Sequence, residues 1–225
     1  MPLEIACFNL ESALRAHAAG ADRIELCADQ SVGGITPSLA LFTTLTSNIS
    51  TPINVMIRPR GNADFCCTTA DVAQMAADIT AFARAGASGF VFGGLTSDGR
   101  VDGDRMRELV SLAQGRPCTF HRAFDAVPGE QAEEALERVI ACGFSALLTS
   151  GGAPNAVQGR EALQRLVERA AGRIPIIVGG GVRSGNVGDL VKGTGASWFH
   201  SSGIVDGGEV ASPEELKALR QVLGA

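Results

Sequence analysis

Apolar runs alternate with amphipathic stretches from one end of the chain to the other. The apolar runs predict strands near residues 3–8, 22–27, 53–58, 88–93, 117–121, 145–149, 174–178 and 196–200. The stretches between them predict helices near residues 10–19, 37–48, 70–85, 101–114, 129–142, 155–171, 184–193 and 212–223. Strands that are apolar on both faces are typical of a covered parallel sheet. Eight such strand–helix units predict an α/β fold, a TIM (β/α)₈ barrel, as one domain over residues 1–225.

A doubly wound open sheet is the competing architecture for this alternation. It usually has fewer strands and a dominant glycine loop after the first strand, which the chain lacks. Gly20, Gly86 and Gly143 each follow a helical stretch and precede a strand, as helix-ending glycines do. This repeated pattern supports the phasing of the units and says nothing about function.

Composition narrows the classes of function. The 225 residues carry a net charge of −5 without any block of Lys or Arg, which argues against nucleic acid or an anionic membrane as partner. We expect no secretory signal and no membrane span, because no apolar run is long enough. None of the six cysteines forms a CxxC pair, so we expect reduced thiols and a cytoplasmic location.

Polar chemistry concentrates at the end of the fifth predicted strand, in PCTFHRAFD, residues 117–125. Thr119 and His121 share one face of that strand, and Arg122 and Asp125 follow directly. In a barrel, side chains at the carboxyl ends of strands reach the functional mouth. The alternative is that these groups cap the next helix and pair with one another.

Charged residues at the ends of two other strands suggest proton transfer and anion binding. Glu25 and His121 could form an acid–base pair, since a carboxylate beside an imidazole can exchange protons with it. Arg58, Arg60 and Arg122 could neutralise a carboxylate or phosphate. In the alternative, Glu25 and Arg58 pair as ions in the barrel interior. The candidate catalytic residues are Glu25, Arg58, His121 and Asp125.

Glycine-rich sequences at the ends of the last three strands predict a phosphate site. They are TSGG at residues 149–152, GGGVRSGN at 179–186 and HSSG at 200–203. Glycine exposes backbone N–H groups, and barrels often bind phosphate after the seventh and eighth strands. Tight turn geometry is the alternative. The candidate anion-binding residues are Arg60, Arg122, Thr149, Ser150, Gly151, Gly180, Gly181, His200 and Gly203.

Thiols and thioethers suggest a second chemistry, because soft sulfur ligands select Cu(I). Cys27 and Met56 are predicted to face the mouth, and Cys66 and Cys67 lie in the polar loop at residues 59–69. The candidate copper ligands are Cys27, Cys66 and Cys67. We expect the other three cysteines to pack as small apolar residues, and packing is also the alternative for the whole set.

Assembled in order, these stretches resemble the copper homeostasis protein CutC family. The matching stretches are LESALRAHAAGADRIELC, GGITPS, INVMIRPRG, VDGDRMRELV, TFHRAFD, LLTSGG and GGGVR. They run from residue 10 to about residue 200, and MIRPRG together with TFHRAFD is highly specific. The resemblance implies a cytoplasmic TIM barrel that takes part in copper binding, tolerance or trafficking. It also implies a barrel mouth that looks like that of an enzyme.

The resemblance carries functional positions over to this chain. They are Glu25 and Cys27 in ELC, Arg58 and Arg60 in MIRPR, His121, Arg122 and Asp125 in HRAFD, and residues 149–152 in TSGG. The first strand departs from the family pattern LEVCVDS, because Ala6 stands at the usual cysteine position and Cys7 is shifted by one. A shift of one along a strand turns a side chain to the opposite face.

Three functions remain as hypotheses. The first is a cytoplasmic copper homeostasis protein that binds Cu(I). The second is a barrel enzyme with lyase- or isomerase-like acid–base chemistry on a small anionic or phosphorylated substrate. The third is a scaffold whose mouth has no remaining use. The expected partners are a copper ion, a small anion or both, and no organic cofactor is evident. We also expect a homo-oligomer, either a dimer or a tetramer.

Overall fold

Eight parallel strands close into a barrel in the computed structural model, which describes residues 1–224. The strands are β1 Leu3–Cys7, β2 Arg23–Leu26, β3 Ile53–Met56, β4 Gly89–Phe92, β5 Cys118–Phe120, β6 Ala146–Thr149, β7 Ile176–Val178 and β8 Trp198–Ser201. The helices are α1 Leu10–Ala18, α2 Leu39–Thr46, α3 Thr69–Ala85, α4 Gly103–Leu112, α5 Ala132–Ala141, α6 Arg160–Ala170, α7 Ser184–Thr194 and α8 Pro213–Leu223. The predicted (β/α)₈ barrel is confirmed, because β1 pairs with β8, whereas an open sheet would leave these two strands as free edges.

The main hydrophobic core lies between the barrel and the helices. Ile24 and Leu26 of β2 belong to it, together with helix residues such as Leu45 of α2. Glu25, which lies between them in sequence, lines a cavity inside the barrel. The alternation of strand side chains therefore sends apolar residues outward to the helices and leaves the interior for other side chains.

Helix ends follow the local sequence. Thr68 and Asp71 form a capping box at the start of α3, and Gly86 ends that helix in the left-handed conformation. Ser212 caps α8 with its side chain, and Pro213 occupies the first turn. These signals fix the loop after β3 and the loop after β8, both of which border the mouth.

One predicted helix boundary is wrong. Residues 155–159 form turns, and α6 begins only at Arg160 rather than at residue 155. The Asn155 side chain accepts a hydrogen bond from the Gln158 backbone, which favours a turn over a helix. A Cβ atom on Gly159 would lie 1.8 Å from the Ser150 carbonyl oxygen, so this segment packs tightly against the end of β6.

None of the helices within residues 1–224 is both long and apolar enough to cross a membrane.

Candidate functional site

A cavity of about 490 Å³ opens at the carboxyl ends of the strands. Its walls carry Glu25 from β2, Arg58 after β3, His121 and Arg122 after β5, and His200 from β8. The structure thus brings together the charged strand ends that the sequence placed at one mouth. The rest of the wall mixes apolar side chains such as Phe8 and Met56 with polar ones such as Arg183 and Ser202. Apolar surface with a few convergent polar groups is typical of a ligand pocket.

A chain of three ionisable side chains lies at the closure of the barrel. The Nδ1 atom of His200 lies 2.7 Å from an oxygen of Glu4, and its Nε2 atom lies 3.7 Å from an oxygen of Glu25. Glu4 also pairs with Arg23, whose guanidinium lies 4.3 Å from the Trp198 ring. The imidazole of His200 is therefore fixed between two buried carboxylates, and the second of them faces the cavity.

Burial and neighbouring charges set the protonation of these three groups. Burial raises the pKa of Glu25 to about 7, although His200 acts in the opposite direction. Burial also disfavours the ionised form of Glu4, but Arg23 and His200 outweigh it and lower the pKa of Glu4 to about 2. Burial opposes a charge on His200, yet Glu25 and Glu4 outweigh it and raise the pKa of His200. Glu4 is therefore a fixed anion, and Glu25 titrates near neutrality.

His121 is a neutral hydrogen-bond donor in the opposite part of the wall. Its Nδ1 atom accepts a hydrogen bond from the Ala123 N–H at 3.3 Å, so the neutral ring carries its proton on Nε2. That Nε2 atom is buried and has no partner within residues 1–224. Burial and the nearby Arg58 lower the pKa of His121 to about 3. The imidazole beside Glu25 is that of His200, and not that of His121 as the sequence suggested.

Arg58 organises the loops around the mouth. Its guanidinium donates to the backbone carbonyl oxygens of Val32, Gly34 and Asn62 at 2.8 to 3.0 Å. It also lies 4.8 Å from the ring of Phe65. The ion pair between Glu25 and Arg58 that the sequence allowed does not form.

Arg60 points away from the cavity. It pairs with Asp71 at the start of α3 and donates to the carbonyl oxygen of Cys66. Arg60 is not among the described residues that line the cavity. Arg60 therefore holds the loop at residues 59–69 against α3.

The Asp125 carboxylate occupies the donors of the TSGG sequence. It accepts hydrogen bonds from the Thr149 hydroxyl, from the backbone and side chain of Ser150, and from the Gly152 N–H. Its other strong partner is the Nε atom of Arg122 at 2.7 Å. Asp125 thus acts as an internal anion where the sequence predicted an external phosphate.

Two more glycines of the predicted phosphate site have internal partners. The Gly151 N–H donates to the Thr149 hydroxyl at 2.9 Å, and the Gly203 N–H donates to the Ser201 hydroxyl at 3.1 Å. These donors are used to shape the turns after β6 and β8. The structure does not direct them at the cavity.

The turn after β7 borders the cavity and carries backbone donors without acceptors within residues 1–224. Among residues 1–224, the N–H groups of Gly180 and Gly181 have no hydrogen-bond acceptor. A Cβ atom on Gly180 would lie 3.3 Å from the Arg122 guanidinium, so that side chain rests on the backbone here. Arg183, on the same wall, donates to the Ser201 hydroxyl and to the Ile204 carbonyl oxygen. An anion at this wall would meet two cationic side chains and free backbone donors.

The three predicted copper ligands do not converge. Cys27 is buried beside Met56 and Val91 in the barrel interior, and burial raises the pKa of its thiol. Cys66 is half-buried, and its Sγ atom contacts the Thr96 carbonyl oxygen at 3.4 Å. Within residues 1–224, no three His, Cys, Asp or Glu side chains gather as a metal site.

Cys67 instead lies among thioethers between the barrel and the helices. Its Sγ atom is 4.0 Å from the Met75 Sδ atom of α3. A Cβ atom on Gly94 would lie 3.2 Å from the Cys67 sulfur and 3.6 Å from the Met106 sulfur of α4. Two soft sulfur atoms therefore border Gly94, and the Met75 sulfur lies beside one of them. We call Cys67, Met75 and Met106 the sulfur cluster.

Sequence reasoning missed Glu4, Arg183 and the two methionines of the sulfur cluster. Glu4 had a signal, because a carboxylate inside the apolar run LEIAC is costly to bury without a partner. Arg183 lies within the sequence GGGVRSGN, in which the glycines are the stronger signal for a phosphate site. Nothing in the sequence distinguishes Met75 and Met106 from ordinary core residues.

Comparison with known proteins decides the family. The CutC family model matches residues 1–205. The chain belongs to the CutC family. It is 42% identical over 200 residues to the human copper homeostasis protein cutC homolog, an alignment that covers 89% of this chain and 72% of that protein. It is 43% identical over 204 residues to a CutC family protein of Porphyromonas gingivalis, covering 90% and 80% of the two chains.

Solved structures show the same barrel fold as this CutC chain. A CutC protein from Streptococcus agalactiae superposes with a TM-score of 0.85 at 30% identity, covering 90% of this chain and 98% of that one. The phosphoribosylanthranilate isomerase of Pyrococcus furiosus superposes with a TM-score of 0.66 at 17% identity, covering 100% and 98% of the two chains. The second likeness shows a shared fold alone.

Proposed function

We propose that this CutC protein takes part in copper homeostasis by binding Cu(I). The observation that carries the proposal is membership of the CutC family over residues 1–205, together with a 42% identical human relative named for copper homeostasis. The six free cysteines of the described chain support a reducing compartment, and we propose the cytoplasm.

The sulfur cluster is the best place for Cu(I) in this chain. Thiolate and thioether ligands suit Cu(I), and Cys67 lies 4.0 Å from the Met75 sulfur. Two metal–sulfur bonds of about 2.3 Å, the length known for zinc thiolates, span up to about 4.6 Å. One metal ion could therefore be held by these two sulfur atoms without a large movement of α3, and Met106 borders Gly94 together with Cys67.

Cys27 and Cys66 have different parts in this proposal. Burial raises the pKa of Cys27 and Val91 packs beside it, so we do not assign it as a ligand. Cys66 precedes Cys67 in the loop and is half-buried, which makes it the thiol through which Cu(I) could enter. Burial raises the pKa of Cys67 to about 11, so binding must displace the thiol proton and should strengthen as the pH rises.

Two further features belong to the proposal. We propose that the mouth cavity takes a small anion against Arg122, Arg183 and the free N–H groups of Gly180 and Gly181.

We also propose a homo-oligomer, in keeping with the partly exposed apolar side chains Leu10 and Leu14 on α1. Light scattering on the purified chain would test the assembly directly.

Growth in graded copper tests the proposed role. A strain that lacks this gene should become more copper-sensitive, and expression of the parent protein should restore tolerance. The Cys67→Ser variant should fail to restore it. Cys142→Ser, which changes a buried thiol at the end of α5, should succeed. An unchanged tolerance on deletion, or full rescue by Cys67→Ser, would count against the proposal.

A further inference from the structure

Buried polar atoms without partners surround the mouth cavity. Within residues 1–224, they include an oxygen of Glu25, the Nε2 atom of His121 and the Nε atom of Arg58. A buried polar group without a hydrogen bond costs about 1–3 kcal/mol, so three at one cavity call for a ligand. Copper bound at the sulfur cluster would use none of them.

We propose that the mouth is a proton-transfer site, in which Glu25 removes and returns a proton at a carbon beside the carbonyl group of a small anionic substrate. The inference goes beyond copper homeostasis and does not depend on it.

Glu25 has the geometry of a general base. One of its oxygens lies 3.7 Å from His200 Nε2, and the other is buried without a hydrogen-bond partner within residues 1–224. The residue lines the cavity. The groups that act on its charge are His200 of β8, Glu4 of β1, Arg23 of its own strand and the Cys27 thiol. The pKa of about 7 supports the role, because such a carboxyl group can both take and give a proton at neutral pH.

His121 supplies a hydrogen-bond donor for the carbonyl oxygen of the substrate. It follows β5, which lies three strands from β2 around the barrel, so the two side chains approach the cavity from different sides. Its free Nε2–H is a donor without a partner, and its ring is held by the Ala123 N–H on the other nitrogen. A neutral imidazole donor placed in this way stabilises negative charge that develops on an oxygen.

The reaction needs no further reagent. The Glu25 carboxylate takes the proton from the carbon, and the electron pair of the broken C–H bond forms a C=C bond. The carbonyl π pair moves onto the oxygen, which accepts a hydrogen bond from His121 Nε2–H. Return of the proton from Glu25 to the same carbon restores the carboxylate and the carbonyl group and gives a product with an exchanged hydrogen.

Arg122 and the end of β7 define the substrate class. Arg122 is 42% exposed at the wall, and its guanidinium rests on Gly180 beside the free N–H groups of Gly180 and Gly181. A carboxylate or phosphate group would fit there, and a cavity of about 490 Å³ suits a small molecule. Gly179 packs against His200, which puts this wall next to the Glu4–His200–Glu25 chain.

Glu4 is a positioning residue, because it reaches the cavity only through His200. Its carboxylate accepts a hydrogen bond from the His200 Nδ1–H, and this turns Nε2 toward Glu25. Replacing Glu4 by Gln should lower the pKa of His200, because an anion that stabilises the imidazolium is lost.

Hydrogen–deuterium exchange into small carbonyl acids tests the proposal. The purified chain is incubated in metal-free D₂O buffer with pyruvate, 2-oxoglutarate, dihydroxyacetone phosphate and ribulose 5-phosphate, and loss of C–H signal is followed by proton NMR. We expect exchange above the buffer rate for at least one of these four compounds. Glu25→Gln should slow it by about 10²-fold or more, and Asp104→Asn on the exposed face of α4 should leave it unchanged.

Several results separate the outcomes. If Glu25→Gln folds poorly, Glu25→Asp is the second test. It keeps the carboxylate but shortens its reach, so it should retain only part of the exchange rate. Glu4→Gln should slow exchange and lower the pKa of His200 measured by NMR. Exchange with none of the four compounds, or exchange that Glu25→Gln retains in full, overturns the proposal. Copper binding without exchange would overturn this inference alone, and exchange without copper binding would overturn only the copper proposal.

Discussion

The Asp125 carboxylate lies 2.9 Å from the Ser150 backbone nitrogen and fills the turn after β6. Further donors to the same carboxylate come from the Thr149 hydroxyl, the Gly152 N–H and Arg122. The turn is thus closed by an anion of the protein itself, and Arg122 is held over the mouth in the same contact.

Removing that carboxylate should destabilise the barrel. We expect Asp125→Ala to lower the free energy of unfolding by about 2–4 kcal/mol, because buried donors lose their acceptor. Chemical denaturation would measure the loss. Asp104→Ala, which removes an exposed pair with Arg107, should change stability by less than about 0.5 kcal/mol. Equal stability of Asp125→Ala and the parent would refute this role.

Anion binding should be confined to the end of β7. In a phosphate titration followed by backbone-amide NMR, the signals of Gly180 and Gly181 should shift first, since their N–H groups are free. Gly151 and Gly203 should shift little, because their donors already bind Thr149 and Ser201. The opposite ranking, or no shift at Gly180 or Gly181, would contradict the assignment.

The pH dependence of stability should reveal Glu25. Its pKa rises from 4.5 to about 7 on folding, so the folded state binds the extra proton between these values and stability falls as the pH rises through them. Glu25→Gln should remove about 1–3 kcal/mol of that fall, at about 1.4 kcal/mol per pKa unit. Denaturation from pH 4 to pH 8 would show it.

Comparing the free energy of unfolding of the parent and of Glu25→Gln separates the contribution of Glu25 from that of His121. The lowered pKa of His121 makes stability rise with pH over part of the same range, but it contributes to both proteins. A difference that stays constant across the range would show that Glu25 ionises normally in the folded state.

Gly93 keeps space for the His121 ring. A Cβ atom at this position would lie 2.7 Å from His121 Nδ1 and 3.0 Å from Phe120 Cζ. Gly93→Ala should therefore cost about 1–3 kcal/mol and displace the ring, which a crystal structure of the variant would show. Gly185→Ala, in α7 with open space around it, should instead stabilise by about 0.5–1 kcal/mol. A Gly93→Ala protein as stable as the parent would mean that the ring moves freely.

The fold could be predicted because its signals are local. Each strand is an apolar run, several helices have caps in their own sequence, and a closed barrel is the arrangement that buries eight such strands. The boundary of α6 was misplaced because a turn around Asn155 and Gly159 depends on contact with the end of β6.

The site was only partly predictable, because several of its contacts join distant segments. His200 lies at the end of a strand and was found, but its partner Glu4 is 196 residues away and is met only when β1 and β8 close the barrel. Asp125 was assigned to catalysis, and only the turn after β5 reveals that its carboxylate is surrounded by internal donors. The sulfur cluster depends on how α3 and α4 pack, which the sequence does not display.

A Cu(I) competition titration tests whether the sulfur cluster binds copper. Purified parent protein and single variants would compete with a chromophoric Cu(I) chelator under anaerobic conditions. The account predicts that Cys67→Ser and Met75→Leu weaken binding by about tenfold or more, equivalent to about 1.4 kcal/mol, while Cys118→Ser matches the parent. Parent-like affinity in Cys67→Ser, or no Cu(I) binding by the parent, would contradict it.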